Sequence, residues 1–303
     1  MNVKAGKRIK KGDLAFRLIN GVILTGVAVI MLYPYLNTVA LSLNEGTDTM
    51  RGGITLFPRA FTLKNYISVF QMNTIPQAAV ISVLRTVIGT TLSVFCTAMV
   101  AYTLSRKEYV FRKPITMMYV FTMYFNAGLI PNYFLMRSLG LLDNFLVYII
   151  PGMVGAFNVI IIRTYISGLP ESLIESARLD GAGDFRIFLR IIFPLSKPVL
   201  ATIALFCAVG NWNAWFDNYI YCPSAQELST LQYELMKLLN AASSISNAAA
   251  NGAGMTGQAA SNMVTPIAIR AAITVVVSAP ILCVYPFLQK YFVTGLTIGG
   301  VKE

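Results

Sequence analysis

Residues Leu169 to Val199 read LPESLIESARLDGAGDFRIFLRIIFPLSKPV, a long polar and charged interruption in a chain that otherwise alternates apolar runs with short connectors. The stretch predicts two short helices with a break between them. Pro170 suits a first helical turn, where its missing N–H costs nothing. Gly181 and Gly183 allow a turn with positive φ, Asp184 can cap the helix that follows, and Pro194 and Pro198 end it. Phe185, Phe188, Leu189 and Ile192 recur at helical spacing, which predicts one apolar stripe opposite Arg186 and Arg190. A charged hairpin with apolar faces suits a protein surface; the plainer alternative is an amphipathic hairpin lying on a membrane.

Working outward, composition sets the class. A mean hydropathy of +0.64, with 56% hydrophobic and 12% charged residues over 303 positions, is too apolar for a soluble domain. It predicts an all-α polytopic membrane protein, because a spanning helix satisfies its own backbone polar groups. About six spans are expected, near Leu14 to Leu43, Ile75 to Leu104, Lys113 to Leu135, Leu142 to Ile166, Val199 to Tyr221, and Thr265 to Phe292. Pro34, Pro131, Pro151, Pro280 and Pro286 fall in or beside them and require neighbouring helices to satisfy freed carbonyls. The chain has no histidine, which removes histidine acid–base chemistry and histidine metal sites. Cys96, Cys207, Cys222 and Cys283 have no ligand-type spacing and read as small packing residues, so no metal site is expected.

Charge gives the orientation. Lys4, Lys7, Arg8, Lys10, Lys11 and Arg17 precede or open the first apolar run, which is too long for a signal-peptide core and reads as an uncleaved span. Arg106, Lys107, Arg112 and Lys113 follow the second span; Arg163, Arg178, Arg186, Arg190 and Lys197 surround the hairpin; Lys290 and Lys302 lie toward the end. The positive-inside rule puts both termini and the hairpin in the cytoplasm. The net charge of +11 follows from topology and requires no nucleic acid. Asn44 to Thr74, Arg137 to Leu141 and Cys222 to Val264 become outer connections. The last opens on a helix-like LSTLQYELMKLL and runs into an Ala/Ser/Asn/Gly-rich stretch whose composition favours a flexible loop. The helical piece is equally readable as a surface touching an external delivery protein.

The hairpin's spacing resembles the EAA loop of ABC importer permeases: Glu175-Ser176-Ala177, three residues, Gly181, nine residues, Ile191, one residue, then Phe193-Pro194. Ser176 replaces an Ala and Phe193 a Leu of the family pattern. GLIPNYFLMRSLGLLDNFLVYIIP (Gly128 to Pro151), FPLSKPVLATIALF (Phe193 to Phe206) and GNWNAWFDNYIY (Gly210 to Tyr221) extend the likeness to the carbohydrate-uptake permeases of MetI-like fold, in look the polysaccharide-fragment and aldouronate branch. The resemblance implies a basic cytoplasmic N-terminus at 1–13 and one permease domain over 14–303, with the coupling hairpin at 169–194 and the outer loop at 222–264. It implies coupling through Glu175, Ser176, Ala177, Asp180, Gly181, Ile191 and Pro194 to an ABC ATPase dimer, which carries the ATP and Mg; this chain binds no cofactor and has no catalytic residue. It further implies a second permease, a different chain by family habit, an extracellular solute-binding protein, and a bacterial cell membrane. The chain has no G-x-x-x-x-G-K-[ST] loop of its own.

Sugar recognition needs amides or carboxylates for hydroxyls and aromatic faces for ring C–H groups. Asn211, Trp212, Asn213, Trp215, Asp217, Asn218 and Tyr219, at the outer half of the fifth span, are the candidates for a substrate pathway. An acid such as Asp217 near a membrane is a pathway residue by default, while Trp and Tyr equally form interfacial belts or pack between subunits. Tyr33, Tyr35, Asn37, Tyr124 and Asn126 carry the same two readings. The function expected is ATP-driven import of oligosaccharides handed over by a binding protein. Import of another small solute is the alternative within the class, and an ion-coupled secondary carrier is the alternative outside it. The expected spans hold almost no acids and the chain shows no internal repeat, which disfavours a carrier, and nothing reads as a channel filter.

Overall fold

A computed structural model describes residues 11–250 and 265–298. The basic positions Lys4 to Lys10, the glycine-rich part of the outer loop at 251–264, and Lys302 lie outside the described residues. Among the described residues all regular structure is helical, with one isolated β-bridge between Asn44 and Phe61. The described residues form two compact units, 11–69 with 242–250 and 265–276, and 70–241 with 277–298.

In the first unit, α1 (Lys11–Ser42) is 32 residues long, about 48 Å at the usual helical rise. Its residues 16–34 are exposed almost without interruption, Ile30 and Met31 by more than 70%. A helical stretch this apolar and this exposed belongs in lipid or against a partner rather than in water. After α1 the connection that follows is ordered by one buried amide. Asn44 donates to Asp48 at 3.1 Å, to Thr49 at 3.0 Å and to the Glu45 carbonyl at 3.0 Å, and its Oδ1 accepts the Arg59 and Ala60 N–H groups at 2.8 Å each. The short α2 (Gly46–Met50) is capped by the Glu45 side chain. Buried Asn65 at the start of α3 (Lys64–Gln71) ties back to the Ser42 and Asn44 carbonyls, both at 2.8 Å. A segment read as a connector is therefore built, because one amide satisfies backbone groups that would otherwise be orphaned.

The second unit is organised on α4 (Thr74–Ser105), which packs against α7 (Ala156–Ser167) and α11 (Lys197–Asn213). Ala98 and Ala101 are buried where small side chains let helices approach. Phe188, 1% exposed, plugs the centre, with Phe95, Tyr102 and Phe193 rings 5.6–5.9 Å away. Aromatic pairs of this geometry contribute about 0.5–1.5 kcal/mol each beyond burial.

Of the six expected spans, three are continuous helices: α1, α4 and α14 (Pro266–Ile298). The other three are broken. Lys113 to Leu135 divides into α5 (Arg112–Tyr124) and α6 (Leu129–Ser138), where the Asn126 side chain accepts the Gly128 N–H at 2.9 Å and Gly128 turns to φ +89°. Leu142 to Ile166 becomes a 3₁₀ turn at Phe145–Tyr148, a bend through Pro151-Gly152, and α7. Val199 to Tyr221 divides at Ala214 into α11 and α12 (Phe216–Tyr221). Three helices among the described residues are long and apolar enough to cross a membrane singly, and Asp184–Leu195 with Lys197–Asn213 adds a pair bent by 81°.

The Ala/Ser/Asn stretch expected to be loose is helical as far as the structure describes it: α13 runs Leu231–Ala250. Alanine's high helix propensity accounts for this better than a low-complexity reading does.

Candidate functional site

The hairpin forms as its spacing predicts, with local differences. α8 (Ser172–Leu179) carries Glu175, and its end is closed by Ala182 N–H to the Ala177 carbonyl and Gly181 N–H to the Arg178 carbonyl, both 3.0 Å. Gly181 has φ +79°, a conformation that a Cβ makes costly. Gly183 has an ordinary φ of −72° and is itself the cap of α9 (Asp184–Ile187). Asp184 is thus the first helical residue rather than the cap, and its carboxylate accepts from Arg178 at 3.1 Å.

The second arm also differs. Phe188 to Ile192 forms a π-turn, after which α10 (Phe193–Leu195) and α11 follow. Pro194 stands one residue before the end of the continuous helical stretch Asp184–Leu195, as its sequence reading expects, whereas Pro198 stands in the first turn of α11 instead of ending a helix, and the chain bends at Ser196 between them. The wider π-turn rotates the buried face: Ile187, Phe188 and Ile192 are buried, while Phe185 is 61% exposed and Leu189 is also open.

The hairpin consequently has two faces. Ile174, Ala177, Ile187, Phe188 and Ile192 enter the core built on α4 and α7. Glu175, Ser176, Asp180 and Gly181 lie on the opposite, exposed side, where Leu179 is 90% exposed. Ile191 and Pro194 are half-buried. An exposed leucine and phenylalanine on one hairpin form a surface that water does not favour.

At the far end of the unit a second constellation forms around the break between α11 and α12. Arg85, in the apolar span of α4 and 2% exposed, donates to the Asp217 carboxylate and to the Ala214 carbonyl at 3.1 Å, and its guanidinium lies 4.5 Å from the Tyr148 ring centroid. Buried Asn218 donates to Tyr148 Oη and to the Leu228 carbonyl at 3.1 Å. Sequence reasoning missed Arg85; its signal was an arginine inside an otherwise apolar run, which demands a partner.

The other sequence candidates divide. Trp212 is buried and donates to the Val277 carbonyl at 2.9 Å, in the turn of α14 that precedes Pro280. Asn211 lies against α4 where Gly89 leaves room, since a Cβ there would come within 2.9 Å of its Nδ2. Asn37 holds the Ile54 and Thr55 carbonyls at 2.8 Å each. Asn213 and Tyr219 are exposed, Trp215 is half-buried, and Tyr219 touches the rings of Trp215, Phe216 and Tyr233. Tyr219 also lines a cavity of about 450 Å³ with Leu129, Ile130, Tyr133, Ile220 and Pro223. Asn213, Tyr219, half-buried Trp215 and Asp217, 40% exposed at its side chain, thus remain open at the surface, while the Trp212 indole N–H and the Asn218 amide N–H are committed to internal bonds. Tyr33 and Tyr124 are exposed. No cluster of metal-ligating side chains occurs among the described residues.

Residues 63–216 match the family of binding-protein-dependent transport system inner membrane components, and the chain belongs to that family. Protein LplC of Bacillus subtilis (strain 168) is 36% identical over 99% of this chain and 97% of its own length. The polygalacturonan/rhamnogalacturonan transport system permease protein YtcP of the same organism is 35% identical, covering 96% of this chain and 99% of its own. A chain from the crystal structure of a bacterial ABC transporter involved in the import of the acidic polysaccharide alginate superposes with a TM-score of 0.82 at 30% identity, covering 95% of this chain and all of that one.

Proposed function

We propose that the chain is the membrane-spanning permease subunit of an ATP-driven importer of oligosaccharides derived from polysaccharides, delivered by an external binding protein. The observation that carries the mechanism is the two-faced hairpin: one side is built into the α4–α7 core, and the other presents Glu175, Ser176, Asp180, Leu179 and Phe185 outward. A rigidly mounted surface of that kind is what a separate ATPase dimer needs in order to move the helices when it closes. The chain supplies no nucleotide site; ATP and Mg belong to the ATPase. A second permease chain completes the pathway, both termini and the hairpin lie on the cytoplasmic side, and the membrane is the bacterial inner membrane, the side following from the basic residues flanking the spans.

The saccharide reading draws on the names of the similar permeases and transporter. It also draws on the exposed carboxylate and rings at Asp217, Trp215 and Tyr219, which offer acceptors for hydroxyls and faces for ring C–H groups.

The experiment is Glu175→Lys in the assembled complex. Losing one partner of a desolvated charge pair costs about 2–5 kcal/mol, so less ATPase should remain bound on purification and hydrolysis should uncouple from uptake. Unchanged assembly and uptake would remove Glu175 from the docking surface.

A further inference from the structure

The loop joining α4 to α5 grips both ends of the first hairpin helix. Lys107 Nζ contacts the Glu171 carboxylate, just before α8 begins. The next residue, Glu108, accepts from Arg178 Nη1 at 2.6 Å in the last turn of α8, and Arg178 Nη2 reaches Asp184 across the Gly181 turn at 3.1 Å. Two consecutive side chains of opposite sign thus meet an acid and a base that lie seven positions apart, at opposite ends of one helix.

Exposed ion pairs contribute little to stability singly. Their order here has a different consequence. Turning α8 end for end would set Lys107 against Arg178 and Glu108 against Glu171, and sliding it by one turn would leave Glu108 without its base even where Glu175 took the place of Glu171 beside Lys107, so the pattern specifies a single register. The mount behind it is firm: Ile174 and Ala177 of α8 share a core with Ala98, Ala101, Tyr102 and Leu104 of α4. Arg163 of α7 donates to the Leu104 carbonyl at 3.0 Å, tying the end of α4 just ahead of the loop. The Glu108 carboxyl is held below its ordinary pKa, first by its own backbone N–H and then by Arg178, so it is charged at neutral pH.

We infer that Lys107, Glu108, Glu171 and Arg178 are positioning residues that fix the angle at which α8 presents its outer face, so that movement of the hairpin passes directly into α4. The inference rests on the coupling role proposed for the hairpin. Arg178 and Glu171 are, on this account, turned to their own chain and are not contacts of the ATPase. α4 is one unbroken helix from this clamp to Arg85 at the α11–α12 break, roughly 30 Å away at the helical rise. It therefore joins the two constellations mechanically.

The test uses the complex purified from native membranes and reconstituted with its binding protein, and compares Glu108→Arg, Arg178→Glu and the two together. Each single variant should retain the ATPase as wild type does, keep basal ATP hydrolysis, and lose at least fivefold of the stimulation of hydrolysis given by the binding protein. The double exchange should recover at least half of the lost stimulation, the remainder being withheld because the acid placed at 178 repels Asp184, which Arg178 holds at 3.1 Å. A merely structural ion pair would also be restored by exchanging the charges, but its single variants would lose complex yield and basal hydrolysis along with stimulation. Loss of the ATPase from either single variant would show that these residues face the partner, and would overturn the proposal; so would unchanged stimulation, or failure of the double exchange to rescue. Glu175→Lys run in parallel separates the two accounts: if it leaves assembly and coupling intact, the docking reading fails on its own, whatever the charge exchange does.

Discussion

Arg85 of α4 and Asp217 of α12 form an ion pair that closes over the break at Ala214, where the same guanidinium takes the carbonyl left open at the end of α11. The two partners are unequal: the arginine side chain is 3% exposed and the aspartate 40%. Removing either one has different consequences for that reason.

Asp217→Ala strands a buried cation and should destabilise the protein by about 3 kcal/mol, the low end for a broken buried pair. Arg85→Met leaves a carboxylate that already reaches solvent, and should cost less. Combining the two should recover much of the Asp217→Ala loss. Thermal unfolding in detergent gives the order; equal losses for both single variants would contradict the burial asymmetry.

Gly181 and Gly183 stand two positions apart yet should respond oppositely. A Cβ added to either would meet no atom within 4 Å, but Gly181 alone has positive φ, at +79°. An L-residue there costs roughly 1–2 kcal/mol, so Gly181→Ala should lower the melting midpoint and coupling together, while Gly183→Ala should behave as wild type.

Gly46 makes a separate point about close packing. A Cβ there would lie 2.8 Å from the Thr265 backbone nitrogen and 3.1 Å from its hydroxyl, which donates to the Gly46 carbonyl at 3.3 Å. Overpacking of this kind costs about 1–3 kcal/mol. Gly46→Ala should show it in thermal unfolding, and Thr265→Ser, which removes a methyl 3.2 Å from the same point, should soften the effect.

The Glu108–Arg178 contact has a sign that pH can read. Glu108 has its pKa lowered in the fold, so its contribution is present above the ordinary glutamate value of 4.5 and is lost as pH falls through the lowered one. Amide exchange over residues 179–183, corrected for intrinsic rates, should stay slow at neutral pH and rise only in acid. In Glu108→Gln it should be raised at neutral pH already. A wild-type rise near neutrality would point to another group.

Much of this architecture is legible in the sequence. α1, α4 and α14 follow from apolar runs alone, and the turn at Gly181 from glycine between two helical patterns. The breaks at Phe125 to Gly128 and at Ala214 were not legible, because hydropathy averages across a kink that two or three residues make. The stripe through Phe185 and Leu189 failed for a related reason: it assumed 3.6 residues per turn where a π-turn widens the spacing. At the α11–α12 break, Asp217 stood out in the sequence by its charge while its partner Arg85 did not, since counting basic residues by side of the membrane gives no place to one inside a span. Asn218 and Trp212 show the limit of residue type as a guide; both have sugar-binding chemistry, yet both are buried, with the Asn218 amide N–H groups held by Tyr148 and Leu228 and the Trp212 indole N–H by Val277.

The most direct test of the central claim is mass spectrometry of everything that co-purifies with this chain from native membranes in mild detergent. Recovery of an ABC ATPase, a second permease and a saccharide-type binding protein is the predicted result, and the ligand carried by that binding protein would name the substrate. Recovery of the chain alone, or only as copies of itself, would contradict the account and leave the Glu175 hairpin as a surface helix.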